Sequence, residues 1–224
     1  SANGDIEIVK QLLAARADTE VERDEGMYPL CCALLNDNTE VAKVLIAAGA
    51  NLNVRSLDFA TPLILAVMQD NAEAVDELIK AGSMINACNF IGLSALSLAA
   101  EAGNISIMKS LIEANADLEI RDTSGETPLM NAAKNAQLLA VTELLHAGAR
   151  IDSRDQRGNR VLSHAASADV VEALIAAGAD VHARDQYGCT PLMRVASEGF
   201  GGSVAALLKA GARINDADYS DMTA

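Results

Sequence analysis

The sequence has no tryptophan, three phenylalanines and three tyrosines, so aromatic side chains make up only 3% of it. A core built around a few large rings is excluded; Leu, Ile, Val and Ala must fill it, which suits thin helical layers packed closely. The four cysteines, Cys31, Cys32, Cys88 and Cys189, include no C-x-x-C pair, and two of them are adjacent. Neither a zinc ribbon nor a disulfide framework is suggested, and a reducing, intracellular compartment is the better reading. Basic residues are scarce too: 17 Lys and Arg stand against 31 Asp and Glu, a formal net charge of −14. Residues 1–120 hold 18 acidic and 7 basic side chains, residues 121–224 hold 13 and 10. Such a field repels nucleic acid and anionic membrane and favours a basic partner. No stretch approaches the roughly 18 apolar residues of a membrane span. No phosphate-binding loop, dinucleotide fingerprint or nucleophile elbow occurs, so neither a cofactor nor a catalytic role is expected.

What the chain does have is a period. It matches itself at an offset of 33 residues, with Thr61-Pro62, Thr127-Pro128 and Thr190-Pro191 on the beat and Tyr28-Pro29, Ser94-Ala95 and Arg160-Val161 in degenerate copies. A second landmark follows each, from Gly49-Ala50 through Gly82-Ser83, Asn115-Ala116, Gly148-Ala149 and Gly178-Ala179 to Gly211-Ala212. The complete units are 22–54, 55–87, 88–120, 121–153, 154–183 and 184–216. A fixed period of this length predicts one stacked solenoid over residues 1–224, in which no unit buries its apolar face alone. Function is then expected on a surface, not in a pocket.

The unit 121–153 shows why each copy folds as it does. Arg121 to Glu126 is turn chemistry, with Gly125 free to take positive φ. Thr127 caps a first helix and Pro128 occupies its first turn, where a missing N–H costs nothing. Leu129, Ala132 and Ala133 form its buried stripe; Val141, Leu144 and Leu145 face inward from a second helix, which Gly148 ends. On these residues the chain resembles the ankyrin-repeat family. Thr61-Pro62-Leu63, Gly4-Asp5-Ile6-Glu7-Ile8-Val9 and Gly178-Ala179-Asp180-Val181-His182-Ala183 are fragments of that family's pattern, and the resemblance covers the whole chain. It implies an all-α solenoid of helix-turn-helix units joined by β-turn or hairpin fingers.

The departures from the pattern carry their own expectations. The His that the family places after T-P-L is replaced by Cys31, Ile64, Ser97, Met130, Ser163 and Met193, so packing must hold the units together. Phe59 stands in place of a turn Gly and Arg16 in place of a helix-ending Gly or Asn, which implies a locally different backbone at both. The unit 154–183 is three residues short, so one helix loses close to a turn and the joint should be weak. Residues 1–21 form a partial repeat and 217–224 the start of a further one, so the chain reads as an excerpt of a longer protein.

Candidate chemistry is sparse. His146, His164 and His182 sit on different elements with no Cys or carboxylate at ligand spacing, and read as solvated or core residues, so no metal site is expected. Glu20, Glu22, Asp24 and Glu25 read as a solvated acidic finger. The resemblance implies that a partner protein meets the fingertips and the exposed side of the first helices. The partner-binding set is then Leu57, Asp58, Phe59, Ala60, Met68, Gln69, Phe90, Ile91, Leu93, Glu101, Ser124, Glu126, Arg157 and Tyr187. The expected function is a non-catalytic protein–protein interaction module whose partner is basic and partly apolar, with no role for nucleic acid. Alternatives are a scaffold segment of a larger assembly, or the regulatory domain of an enzyme or channel lying outside this sequence.

Overall fold

The structure, a computed structural model, describes residues 2–22, 27–56 and 58–224, with side chains from Ile6 onward. Among the described residues it contains α-helices and one 3-10 turn but no named strand; an antiparallel bridge joins Cys88 to Ser94. No helix there is long and apolar enough to cross a membrane. The chain divides into two compact units.

Unit 1 comprises residues 1–95 and 109–116. It contains α1 (Ala2–Ala14), α2 (Pro29–Leu35), α3 (Thr39–Ala47), α4 (Pro62–Met68) and α5 (Ala72–Lys80). Thr61 Oγ1 accepts the N–H of Ile64 at 3.3 Å while Pro62 fills the first helical position of α4. The helix therefore starts where the T-P pair lies, with one orphan donor satisfied and another absent. Leu30, Leu34, Leu63, Ile64, Val75 and Leu78 are fully buried and form the apolar layers. Cys31 is buried with them; that burial first, and the neighbouring Cys32 second, push its thiol up to about 11.

Unit 2 comprises residues 96–108 and 117–224, the division passing through α6 (Ala95–Ala102) and α7 (Ile105–Glu113). Its further helices are α8 (Pro128–Lys134), α9 (Leu138–His146), α10 (Ala168–Ala176), α11 (Pro191–Ser197) and α12 (Gly201–Lys209). Thr127 and Thr190 cap α8 and α11 by accepting from Met130 and Met193. Leu129, Met130, Leu144, Leu162, Leu174 and Leu207 are buried at its centre.

Two expectations about local backbone are corrected. Phe59 keeps the left-handed conformation of the glycine it replaces, with φ of +55°, and Arg16 does the same with φ of +62°. The hydrogen bonds around them explain this. Phe59 N–H donates to Ser56 O at 2.9 Å, as Gly125 donates to Asp122 O at 2.9 Å; Ala17 N–H reaches Leu12 O just as Ala50 N–H reaches Leu45 O. The turn's bonds fix the backbone, and the bulky residue bears about 1 kcal/mol of strain.

In the short unit the first helix shrinks to a 3-10 turn, Val161–His164. Two backbone groups at the end of this turn find partners in the neighbouring repeats. Ala166 N–H donates to Ala133 O of the preceding unit at 3.1 Å, and the fully buried Ser203 hydroxyl of the following unit donates to Ala165 O at 2.7 Å.

Candidate interaction surface

Each finger is a six-residue turn with a fixed division of labour. In four fingers the second residue is Asn89, Asp122, Asp155 or Asp185, and its Oδ1 accepts the N–H groups of the fourth and sixth; in the finger 55–60 it is Ser56, whose N–H donates to Ala60 O and whose carbonyl accepts from Phe59. Asp155, for example, takes Arg157 and Asn159, both at 2.8 Å. The fifth residue has positive φ in Phe59, Gly92, Gly125, Gly158 and Gly188. The first residue is Arg in four fingers. Arg154 Nη1 reaches Gly158 O at 2.6 Å and Arg184 O at 3.0 Å, clamping its own turn and the next, and Arg55, Arg121 and Arg184 do the same. These clamps correct the expectation that packing alone replaces the missing His. Cys88 holds the Arg place in its finger, and a thiol lacks the donors for the task.

Within each unit, tips of adjacent fingers are tied by a backbone bond from the third residue of one to the fourth of the finger before. Phe90 N–H donates to Asp58 O at 3.1 Å in unit 1; Gln156 donates to Ser124 O at 3.0 Å and Gln186 to Arg157 O at 3.1 Å in unit 2. Among the described residues the side chains at third and fourth positions are exposed, and Gln156 Nε2 also donates to Thr123 O of the preceding finger at 2.9 Å.

Against this frame the predicted surface residues sort themselves. In unit 1 Asp58, Phe59, Met68, Gln69, Phe90 and Ile91 are exposed, with Phe59 at 60%, Phe90 at 62% and Ile91 at 38%. Leu57 lies outside the described residues, as do Asp24 and Glu25. Ala60 and Leu93 are buried, which corrects their place in the surface set: both occupy the sixth position, whose side chain turns into the core. In unit 2 Ser124, Arg157 and Tyr187 are exposed and Glu101 is partly so. Glu126 is a further correction. It too holds a sixth position and is buried, with Lys134 Nζ 3.1 Å from both of its oxygens.

Sequence reasoning missed the side chains gathered behind the fingers of unit 2. His164, at the end of the 3-10 turn, places Nε2 3.2 Å from Asp155 Oδ2 and Nδ1 3.9 Å from Glu126 Oε1. Burial works against Asp155 ionising, but the His164 ring and the amide and backbone N–H of Asn159 hold its carboxyl down to about 2. Arg194 Nε donates to Asp185 Oδ2 at 2.8 Å, and its guanidinium lies 5.7 Å from the Tyr187 ring centre. Asp155 and His164 lie within one repeat, but Glu126 comes from the repeat before, and that separation hid the three-residue set from a search for short-range spacing. Of the other basic residues in this stretch, Arg150 and Arg160 face Asp152 and Asp180 at 3.5 and 3.6 Å.

The repeated helix pair, the finger and its spacing define a class, and the comparisons agree. A model of ankyrin repeats matches in three overlapping copies over residues 1–89, 63–155 and 129–218. The chain belongs to the ankyrin-repeat family. The crystal structure of the ankyrin repeat domain of Bcl-3, described as a unique member of the IkappaB protein family, superposes with a TM-score of 0.78. It shares 24% identity, over 93% of this chain and 95% of that one, a likeness that establishes the fold. No curated protein matches the sequence. Ankyrin repeats are in general protein–protein interaction modules, typically without catalytic activity.

Proposed function

We propose that this chain is a non-catalytic module that docks a partner protein on the fingertips of unit 1, through Phe59, Phe90 and Ile91 with Asp58 at their edge. The observation that carries this reading is the exposure of two phenylalanines on tips joined by the Phe90 to Asp58 bond. Each keeps more than half its surface in solvent, so neither covers the other. Large apolar side chains on a turn gain nothing from water, and interface energy concentrates in a few such anchors ringed by polar groups. Met68 and Gln69, exposed at the end of α4, extend the surface. The excess of acidic residues before position 120 selects a partner with basic groups around an apolar centre and disfavours nucleic acid. Cys31, Cys32, Cys88 and Cys189 are all free thiols, which supports an intracellular setting.

The test is the double variant Phe90→Asp, Ile91→Ser. Capture of a partner from extract of the source cells should be lost, with the melting temperature unchanged, and capture by the unaltered chain should weaken as salt rises. Intact capture with a lowered melting temperature would make the patch a structural one.

A further inference from the structure

We propose that Glu126, Asp155 and His164 form a binding site for a divalent transition-metal ion of the zinc class. One ligand atom from each, two carboxylate oxygens and an imidazole nitrogen, lie within 4.8 Å of one another. The set is enclosed: the side chains of Glu126, Asp155 and His164 are 10%, 4% and 12% exposed. A buried imidazole between two carboxylates would ordinarily hydrogen-bond to one of them. Here Nε2 meets Asp155 Oδ2 at 3.2 Å as an ion pair but makes no well-formed hydrogen bond. Nδ1 at 3.9 Å from Glu126 Oε1 is beyond hydrogen-bond reach. A buried polar atom left in that state needs an explanation, and a third atom shared by the imidazole and the carboxylates supplies one.

The distances suit a small ion. Zinc binds His nitrogen and carboxylate oxygen at about 2.0–2.2 Å, which puts two ligands of a tetrahedral site roughly 3.4 Å apart. The Asp155 and His164 atoms already stand near that separation, and Glu126 closes onto the ion by a side-chain rotation. Mixed imidazole and carboxylate donors select zinc, cobalt or nickel over calcium or magnesium, which require six or more oxygens or an octahedral shell of waters. Asp155 is already oriented as a ligand. Its Oδ1 accepts two backbone N–H groups and its Oδ2 accepts Asn159 Nδ2 at 2.9 Å, the supporting shell that metal-binding carboxylates keep. Ser124 and Ser163 line the same solvent-facing recess, which leaves the remaining position to water.

Lys134 opposes binding. Its ammonium sits 3.1 Å from both Glu126 oxygens and neutralises that ligand when no ion is present. Its side chain is about half exposed, so it can swing out as a dication enters. Ion binding would then join the fingers 121–126 and 154–159 to the 3-10 turn of the short unit, independently of docking at unit 1.

The test uses the full chain, Co2+ as a spectroscopic probe and Zn2+ in calorimetry. One ion per chain should bind, with cobalt d–d absorption and a raised melting temperature. His164→Gln should weaken binding at least about tenfold, and Lys134→Met should tighten it severalfold by removing the competing cation. Equal affinity in the unaltered chain and His164→Gln overturns the proposal. So does thiolate-to-cobalt charge-transfer absorption, which would put the ion on the cysteines. If His164→Gln fails to fold, Lys134→Met still decides: unchanged or weaker binding rejects the site.

Discussion

The fingers at 55–60 and 88–93 in unit 1 and those at 121–126, 154–159 and 184–189 in unit 2 share one backbone and differ in what they show to solvent. At the third and fourth positions unit 1 carries Asp58, Phe90 and Ile91, with Phe59 exposed beside them at the fifth; unit 2 carries Thr123, Ser124, Gln156, Arg157, Gln186 and Tyr187. Behind the tips the contrast reverses. The sixth position is apolar in unit 1, as Ala60 and Leu93, and in unit 2 it holds the buried Glu126 and Asn159 and the half-buried Cys189. The difference teaches that the turn is built by its first, second and fifth residues. The third and fourth are free to become a docking surface, and the sixth to furnish either core or a buried polar site.

The fifth position offers the sharpest way to break this comparison, because Gly125 and Phe59 hold the same conformation at different cost. Gly125→Ala should destabilise by roughly 2–3 kcal/mol in chemical denaturation: φ is +78°, and the new Cβ would lie 2.8 Å from Gln156 N. A loss below about 0.5 kcal/mol would mean that the fingers of unit 2 tolerate a side chain there as well as unit 1 does. The first position tests what the units have in common. Arg154→Ala and Arg55→Ala should each cost about 1–2 kcal/mol, since each guanidinium serves two carbonyl groups in a partly solvated place. A loss confined to one of them would show that the clamps are not equivalent. Smallest, and opposite in sign, is Phe59→Gly. Releasing a phenylalanine from positive φ should raise stability by about 0.5–1 kcal/mol while partner capture falls. Lower stability would mean that the ring packs as part of the finger.

Much of this was legible in the chain because it is local and periodic. Thr61-Pro62 and Thr127-Pro128 fix where helices begin, since capping and a missing N–H act within one turn. The small and branched residues at helical spacing fix which face is buried. The surface residues were less legible. Leu93 and Glu126 look like tip residues in sequence, one apolar and one charged, and both turn inward for the same reason: the two N–H bonds to Asn89 or Asp122 close the turn and rotate the sixth side chain toward the helices.

The sequence by itself determined the period, the all-helical class, the Thr-Pro caps that open α4, α8 and α11, and the acidic bias of the first half, because each is read from residues within one repeat or from simple count. Only the tertiary structure decided that Phe59 and Arg16 keep a glycine's backbone, that Ser203 braces the shortened unit, and that His164 meets Asp155 and Glu126. Ser203 and Ala165, like Glu126 and His164, stand more than a repeat apart along the chain, so stacking sets their separation, whereas at Phe59 and Arg16 the hydrogen bonds of the turn override the preference of the single residue.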